Sequence, residues 1–243
     1  MKPLLQRALV SVGLAAFVWL ASVHNLVIIA LIVVAMVELP TYRRRPTKAE
    51  LLAIVPEMAA GLSAALLIAL YPRALTQITL AILYAGWRFW LVRVQNGTSS
   101  QVAAAFVNQL LLFESLFLMA AIWHPTRIII LVLIWITSFI LIYQLLESRH
   151  DRSAGVLAAA WALVVTEAAW VFLAWLVSYV IAGGYIVVSQ PTIVLGGLAY
   201  CAGSIYLAQR QGRLSRGRLS EYLVITLILI VIVVTGTAWR GSI

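Results

Sequence analysis

The chain has 243 residues, of which 64% are hydrophobic and only 10% are charged, and its net charge is +9. A soluble domain has about 45–50% apolar and about 25% charged residues, so this composition excludes a water-soluble protein. The apolar runs are continuous rather than alternating. This pattern excludes a membrane barrel and predicts transmembrane helices, which satisfy their own backbone hydrogen bonds in lipid.

The apolar runs predict about nine membrane spans of about 20 residues each. Residues 4–39 hold two short spans with a turn at 22–25, because one helix of that length would extend about 54 Å across a core of about 30 Å. A single span there would reduce the total to about eight. The other spans are predicted at 51–71, 74–92, 101–123, 127–146, 154–181, 191–209 and 221–239. Since the loops are short, we predict one all-α integral membrane domain over residues 1–243, a polytopic transmembrane helix bundle with no soluble domain.

The basic residues predict the orientation of this bundle. If the N-terminus is cytoplasmic, the outer segments hold only Arg73, Arg127 and Arg240, and the other fourteen basic residues fall on the cytoplasmic side. This is the asymmetry of the positive-inside rule. We therefore expect an integral protein of a prokaryotic plasma membrane with its C-terminus outside. The lipid bilayer is thus the expected partner of the chain. Because the basic residues serve to orient the chain in it, no nucleic-acid partner is expected.

Carboxylates within a span indicate either function or the fastening of helices, because a charged group there costs at least about 2.5–3.5 kcal/mol. Glu57 lies near the cytoplasmic end of the third span, and Arg88 lies at a similar depth in the fourth. The turn at Pro72 makes these two spans antiparallel neighbours. We predict an ion pair between Glu57 and Arg88, and such a bridge is more often structural than catalytic.

The fifth span is the most polar one. Asn108 lies on a stripe that repeats every seven residues, and Glu114 and Gln109 lie to either side of it, so we expect this helix to lie inside the bundle. Glu167 occupies a comparable depth in the seventh span. We expect Glu114 and Glu167 to face the interior, with at least one protonated near neutral pH, and to tolerate replacement by glutamine. Asn108, Glu114 and Glu167 either line a path or fasten helices.

The eighth span carries small residues at four-residue spacing, Gly197 with Cys201 and Ala199 with Gly203. Such pairs let helices approach closely. They predict tight packing within the bundle or, as the alternative, a face for a homo-oligomer or a membrane partner.

Arginines dominate the loop that follows the eighth span. The orientation of the protein in the membrane is enough to explain these arginines. The alternative is that they form a site for anionic lipid headgroups. The four residues are Arg210, Arg213, Arg216 and Arg218.

The sequence lacks the residue sets that redox, metal and nucleophilic chemistry require. The single cysteine, Cys201, cannot form a redox or metal pair, and the three histidines fall at the ends of apolar runs. We predict no catalytic residue, metal or cofactor. The intramembrane carboxylates favour, slightly, a small permease or channel-like protein over a structural or assembly subunit of a membrane complex. An intramembrane lipid-modifying enzyme is the weakest alternative.

Overall fold

The structure, a computed structural model, describes residues 2–38, 48–94, 98–147, 151–174, 177–181, 186–210, 212 and 215–236. These residues are mostly helical. In chain order the elements are α1 (Lys2–Val23), α2 (Val27–Glu38), α3 (Lys48–Leu70), α4 (Ala74–Val94), α5 (Thr98–Trp123), α6 (Arg127–Glu147), α7 (Ala154–Ala174), β1 (Ser178–Ile181), β2 (Ile186–Ser189), α8 (Gln190–Arg210) and α9 (Arg216–Gly236).

Four helical segments in the described part of the chain are long and apolar enough to cross a membrane. They are Ala104–Trp123, Arg127–Glu147, Ala154–Ala174 and Gln190–Arg210. Shorter apolar helices occur at Leu9–Val23, Val27–Val37, Glu57–Leu70 and Leu219–Leu229. The fold is therefore that of a helical protein compatible with integration into a membrane.

The predicted turn between the first two helices is confirmed. Helix α1 ends at Val23, and Asn25 adopts a left-handed φ of 58°. Asparagine tolerates this conformation better than most residues. The N–H of Leu26 then bonds back to the carbonyl of Ala21 at 2.7 Å, which satisfies one of the last carbonyls of α1.

The prediction of one helix over 154–181 is wrong at its C-terminal end. Helix α7 ends at Ala174, and residues 178–189 contain an antiparallel hairpin in which Val180 pairs with Val187. The two strands read Ser-Tyr-Val-Ile and Ile-Val-Val-Ser around a Gly-Gly pair, and β-branched residues prefer strands. The apolar character of this segment obscured a hairpin signal that its residue types carry.

Two large clusters of buried side chains form the main parts of the described core. Small and aliphatic side chains of α1–α4 form one cluster, which includes Val18, Val34 and Ile68. Large side chains of α5–α8 form the other, around the fully buried Phe113 and Phe117 of α5. Helix α3 packs against α5 and joins the two parts. These contacts place α5 inside the bundle, as its polar residues predicted.

Candidate functional site

The outer edge of strand β2 is bonded to side chains of the bundle. The N–H of Gln190 donates to the carbonyl of Val177 at 2.9 Å and continues the ladder beyond Ser189. Because antiparallel pairs alternate, the backbone groups of Val187 and Ser189 point away from β1. The hydroxyl of Tyr71 donates to the Val187 carbonyl at 2.5 Å and accepts from its N–H at 3.0 Å. One phenol thus satisfies both edge groups of that residue.

Glu114 satisfies the next edge group along the strand. Its two carboxyl oxygens each lie 3.1 Å from the N–H of Ser189, and Oε2 accepts a second hydrogen bond from the Ser189 hydroxyl at 2.8 Å. The Thr192 hydroxyl lies 2.7 Å from that of Ser189 and is a further partner of the carboxyl group. Glu114 is half-buried, whereas Ser189 and Thr192 are buried.

This arrangement coincides with the start of α8. Ser189 directly precedes the helix, in the position where serine caps the first free N–H groups. A carboxyl group is favoured there because the helix dipole is positive at its N-terminus. The Tyr71 and Glu114 contacts therefore join the α3–α4 turn, α5, the hairpin and α8. We call this end of the molecule the hairpin end.

Sequence reasoning identified Glu114 but missed Tyr71, Ser189 and Thr192. The signal for Ser189 and Thr192 lies in the order Ser-Gln-Pro-Thr before an apolar run, which is typical of a helix N-terminus. Tyr71 had no such signal, because its partner is 116 positions away in the chain.

Asn108 fastens α5 to α4. Its side chain is fully buried, and its Oδ1 accepts a hydrogen bond from Trp87 Nε1 at 3.0 Å. The neighbouring Gln109 is buried as well, and its Nε2 has no hydrogen-bond partner within the described residues. The polar groups of α5 are thus mainly, though not entirely, engaged by neighbouring helices.

The expectation that Glu167 faces the interior is wrong. Glu167 lies on the exposed face of α7 between the exposed side chains of Val164 and Trp170, so it does not converge with Glu114. The buried face of α7 consists of small and β-branched residues such as Ala162, Val165 and Ala169, which pack closely in the core. The periodicity of α7 assigns Glu167 to the opposite side of the helix.

Glu57 and Arg88 lie half-buried on α3 and α4, which pack against each other. Each of the two side chains takes part in an interaction. The ion pair between them stays a prediction.

Arg210 is held at the other end of the bundle. It forms an ion pair with Asp151 at 2.6 Å, and the Tyr206 hydroxyl also donates to Asp151. The N–H and hydroxyl of Ser153 donate to the same carboxylate at 3.0 and 2.8 Å. These bonds from Ser153, with the charge of Arg210, keep the pKa of Asp151 below its usual range.

This ion pair compensates the charge of one of the four arginines predicted to meet anionic lipid. Arg216 begins α9 and is exposed. Arg213 and the side chain of Arg218 lie outside the described residues. The lipid-headgroup site stays a prediction, and the ion pair with Asp151 makes Arg210 less available for it.

The small residues of α8 are partly used within the chain. A Cβ at Gly197 would overlap the side chain of Leu229 in α9, and Cys201 Sγ lies 3.9 Å from the carbonyl of Tyr222. The row of Gly197 and Cys201 therefore packs against α9. A partner at Ala199 and Gly203 stays a prediction.

Comparison of the chain with models of protein families, with curated proteins and with solved structures finds no match.

Proposed function

We propose that the chain is a multi-pass protein of a prokaryotic plasma membrane, with about nine spans, a cytoplasmic N-terminus and an outer C-terminus. The apolar helices support the membrane setting. The distribution of arginines supports the orientation, because it assigns Asp151 and Arg210 to the cytoplasmic side and the hairpin end to the outer side.

Within that membrane, the protein acts as a structural or assembly subunit of a larger complex. The observation that carries this proposal is the closed network at Glu114. The carboxylate is bonded to the Ser189 N–H, the Ser189 hydroxyl and Thr192. A carboxylate that anchors a hairpin and a helix start in this way performs a structural task, since moving it would leave the Ser189 N–H without a partner.

The geometry gives less support to a proton relay. A relay through Glu114 needs further titratable groups near it in the interior. Glu167 lies on the exposed surface of the bundle instead, and the nearby Tyr71 hydroxyl is already bonded to both backbone groups of Val187. The proposal therefore departs from the slight preference for transport that the intramembrane carboxylates gave in the sequence.

Reconstitution of the purified chain into vesicles tests this function. With an imposed pH gradient and a dye inside, we expect the wild-type chain to pass protons no faster than empty vesicles. When it is extracted from its own membrane in mild detergent, we expect it to elute with other polypeptides in fixed stoichiometry. In the flux measurement, Glu167→Gln serves as the matched control for Glu114→Gln, because it changes the same group on the exposed surface.

Two results would overturn the proposal. One is a proton flux in wild-type vesicles that Glu114→Gln abolishes without lowering the melting temperature. The other is a chain that elutes alone from its native membrane.

A small permease is the second candidate, and one observation favours it. Gln109 lies on the same helix as Glu114, and its buried amide nitrogen has no hydrogen-bond partner in the part of the chain that the structure describes. Buried polar groups are usually bonded, so an orphaned amide on a central helix is a place where a polar solute or water can bind. The vesicle experiment separates the two candidates.

A further inference from the structure

The exposed face of α7 forms a regular apolar seam. Its members are spaced by four and three residues alternately, which is the a/d pattern with which one helix packs against another. All of them are exposed, with Val156 74%, Leu163 54% and Trp170 64% accessible. The seam consists of Val156, Ala160, Leu163, Glu167, Trp170 and Ala174.

The seam is separate from the face by which α7 belongs to the bundle. The buried residues of α7 recur on the opposite side, at Ala158, Ala162, Val165 and Ala169. They pack α7 mainly against α6. Helix α7 therefore has one face that completes the core and a second that no other described element covers.

Glu167 lies in this seam about 10 Å from the end of the helix, at 1.5 Å per residue. Among the residues that the structure describes, Glu167 has no hydrogen bond or ion pair. Its exposed neighbours on the face, Leu163, Val164, Trp170 and Val171, are all apolar. A carboxyl group is costly against lipid, and such groups are normally paired or turned inward.

We infer that the α7 seam binds a transmembrane helix of a partner protein, and that this helix presents a basic side chain opposite Glu167. The inference rests on the proposed role as an assembly subunit and names the partner's chemistry. Charge complementarity carries it, because a basic group is the one that both neutralises the carboxylate and donates hydrogen bonds to it. A single polar position in an apolar seam also sets the register of the two helices.

A second copy of the chain fits the seam less well. The seam contains no basic residue, so two copies paired seam to seam leave each carboxylate without a cation. In a parallel two-fold pair, the two carboxylates would also face each other, and like charges repel.

Association with designed peptides tests the inference. The full chain carries Cys201→Ala and a donor dye at Val180→Cys, an exposed position in the hairpin. The probes are transmembrane peptides of leucine and alanine, about 24 residues long. One peptide has a single lysine about 10 Å from its outer end, and the matched peptide has leucine there. Energy transfer in neutral phosphatidylcholine vesicles reports binding.

We expect the chain to bind the lysine peptide about tenfold more tightly than the leucine peptide. Glu167→Leu should remove this preference and leave folding intact, because the position is exposed. The matched control combines Glu167→Leu with Ile82→Glu, which moves the carboxyl group to an exposed position at similar depth on α4. This control should show no preference, since α4 offers the carboxyl group without the seam.

Three results would overturn the inference. The first is that the wild-type chain binds the lysine peptide no more tightly than the leucine peptide. The second is that the control with Ile82→Glu prefers the lysine peptide as strongly as the wild type does. The third is energy transfer between two labelled copies of the chain that Glu167→Leu abolishes, which would make the partner a second copy. The role as an assembly subunit is tested separately by the proton flux and by elution from the native membrane.

Discussion

Glu114 is surrounded by donors. The Ser189 N–H, the Ser189 hydroxyl and the Thr192 hydroxyl all meet its carboxyl group. A hydroxyl can rotate to accept a bond instead, but a backbone N–H cannot. At the scale of single residues, these donors explain why a carboxyl group suits the position, and they predict that an amide of the same size suits it less well.

Replacement of Glu114 by glutamine should therefore destabilise the protein, contrary to what its size alone predicts. We expect a loss of about 1–3 kcal/mol, because the amide NH₂ faces groups that also donate. Ser189→Ala should cost about 1 kcal/mol through the loss of one hydroxyl bond. Thermal unfolding in detergent, followed by circular dichroism, measures both losses. If Glu114→Gln is as stable as Glu167→Gln, the network does not hold the hairpin.

Asp151 predicts a dependence of stability on pH. Its pKa is lowered in the folded state by the hydrogen bonds from Ser153 and by Arg210. A lowered pKa adds stability above the unfolded pKa, about 3.9 for aspartate, and this stability is lost as the pH falls through the folded value. We expect the melting temperature to decrease when the pH is lowered below about 4, and we expect this decrease to be smaller in Asp151→Asn. An unchanged acid profile in Asp151→Asn would show that the ion pair contributes nothing.

At the scale of elements, close approach between helices depends on glycine at two neighbouring positions of α8. A Cβ at Gly196 would meet Leu110 of α5, and one at Gly197 would meet Leu229 of α9. Gly203, in the same helix, has nothing within 4 Å. The three glycines therefore separate the effect of contact from that of helix propensity.

Gly197→Ala should be less stable than Gly203→Ala by about 1–3 kcal/mol, which is the usual cost of overpacking. Both changes gain the same helix propensity, about 1 kcal/mol. The unfolding free energies of the two variants give the difference. As a further check, Leu229→Ala should cost less in the Gly197→Ala background than in the wild type, because it removes the overlapping side chain. Equal stability of the two alanine variants would contradict a close α8–α9 contact.

At the scale of the whole molecule, the proposed orientation rests on the distribution of charge, whereas the internal architecture follows from packing. Helices α3 and α5 connect the two parts of the core, and the hairpin is tied to both of them through Tyr71 and Glu114. At the hairpin end, side chains of the bundle thus form hydrogen bonds with the backbone groups on the free edge of β2. Non-helical backbone at membrane depth requires such bonds.

The proposed orientation predicts a labelling pattern in intact cells with Cys201→Ala. A cysteine at Val180 should react with an impermeant thiol reagent, and cysteines at Arg152 and Arg216 should react only after the membrane is opened. All three positions are exposed. Ser189 is unsuitable as an outer reporter because it is fully buried. Labelling at Arg152 and Arg216 with protection at Val180 would reverse the orientation.

The sequence by itself determined the helical class, most helix boundaries and the interior position of α5. These features depend on the composition of each segment and on the apolar content of the whole chain, and both can be read from the sequence without knowing which segments are in contact. Tertiary structure alone decided which face of α7 is buried and what Glu114 binds. A continuously apolar helix has apolar side chains on all of its faces. Which face is buried therefore depends on the helices that pack against it. The partners of Tyr71 and Glu114 lie 116 and 75 positions away, beyond the reach of any local pattern.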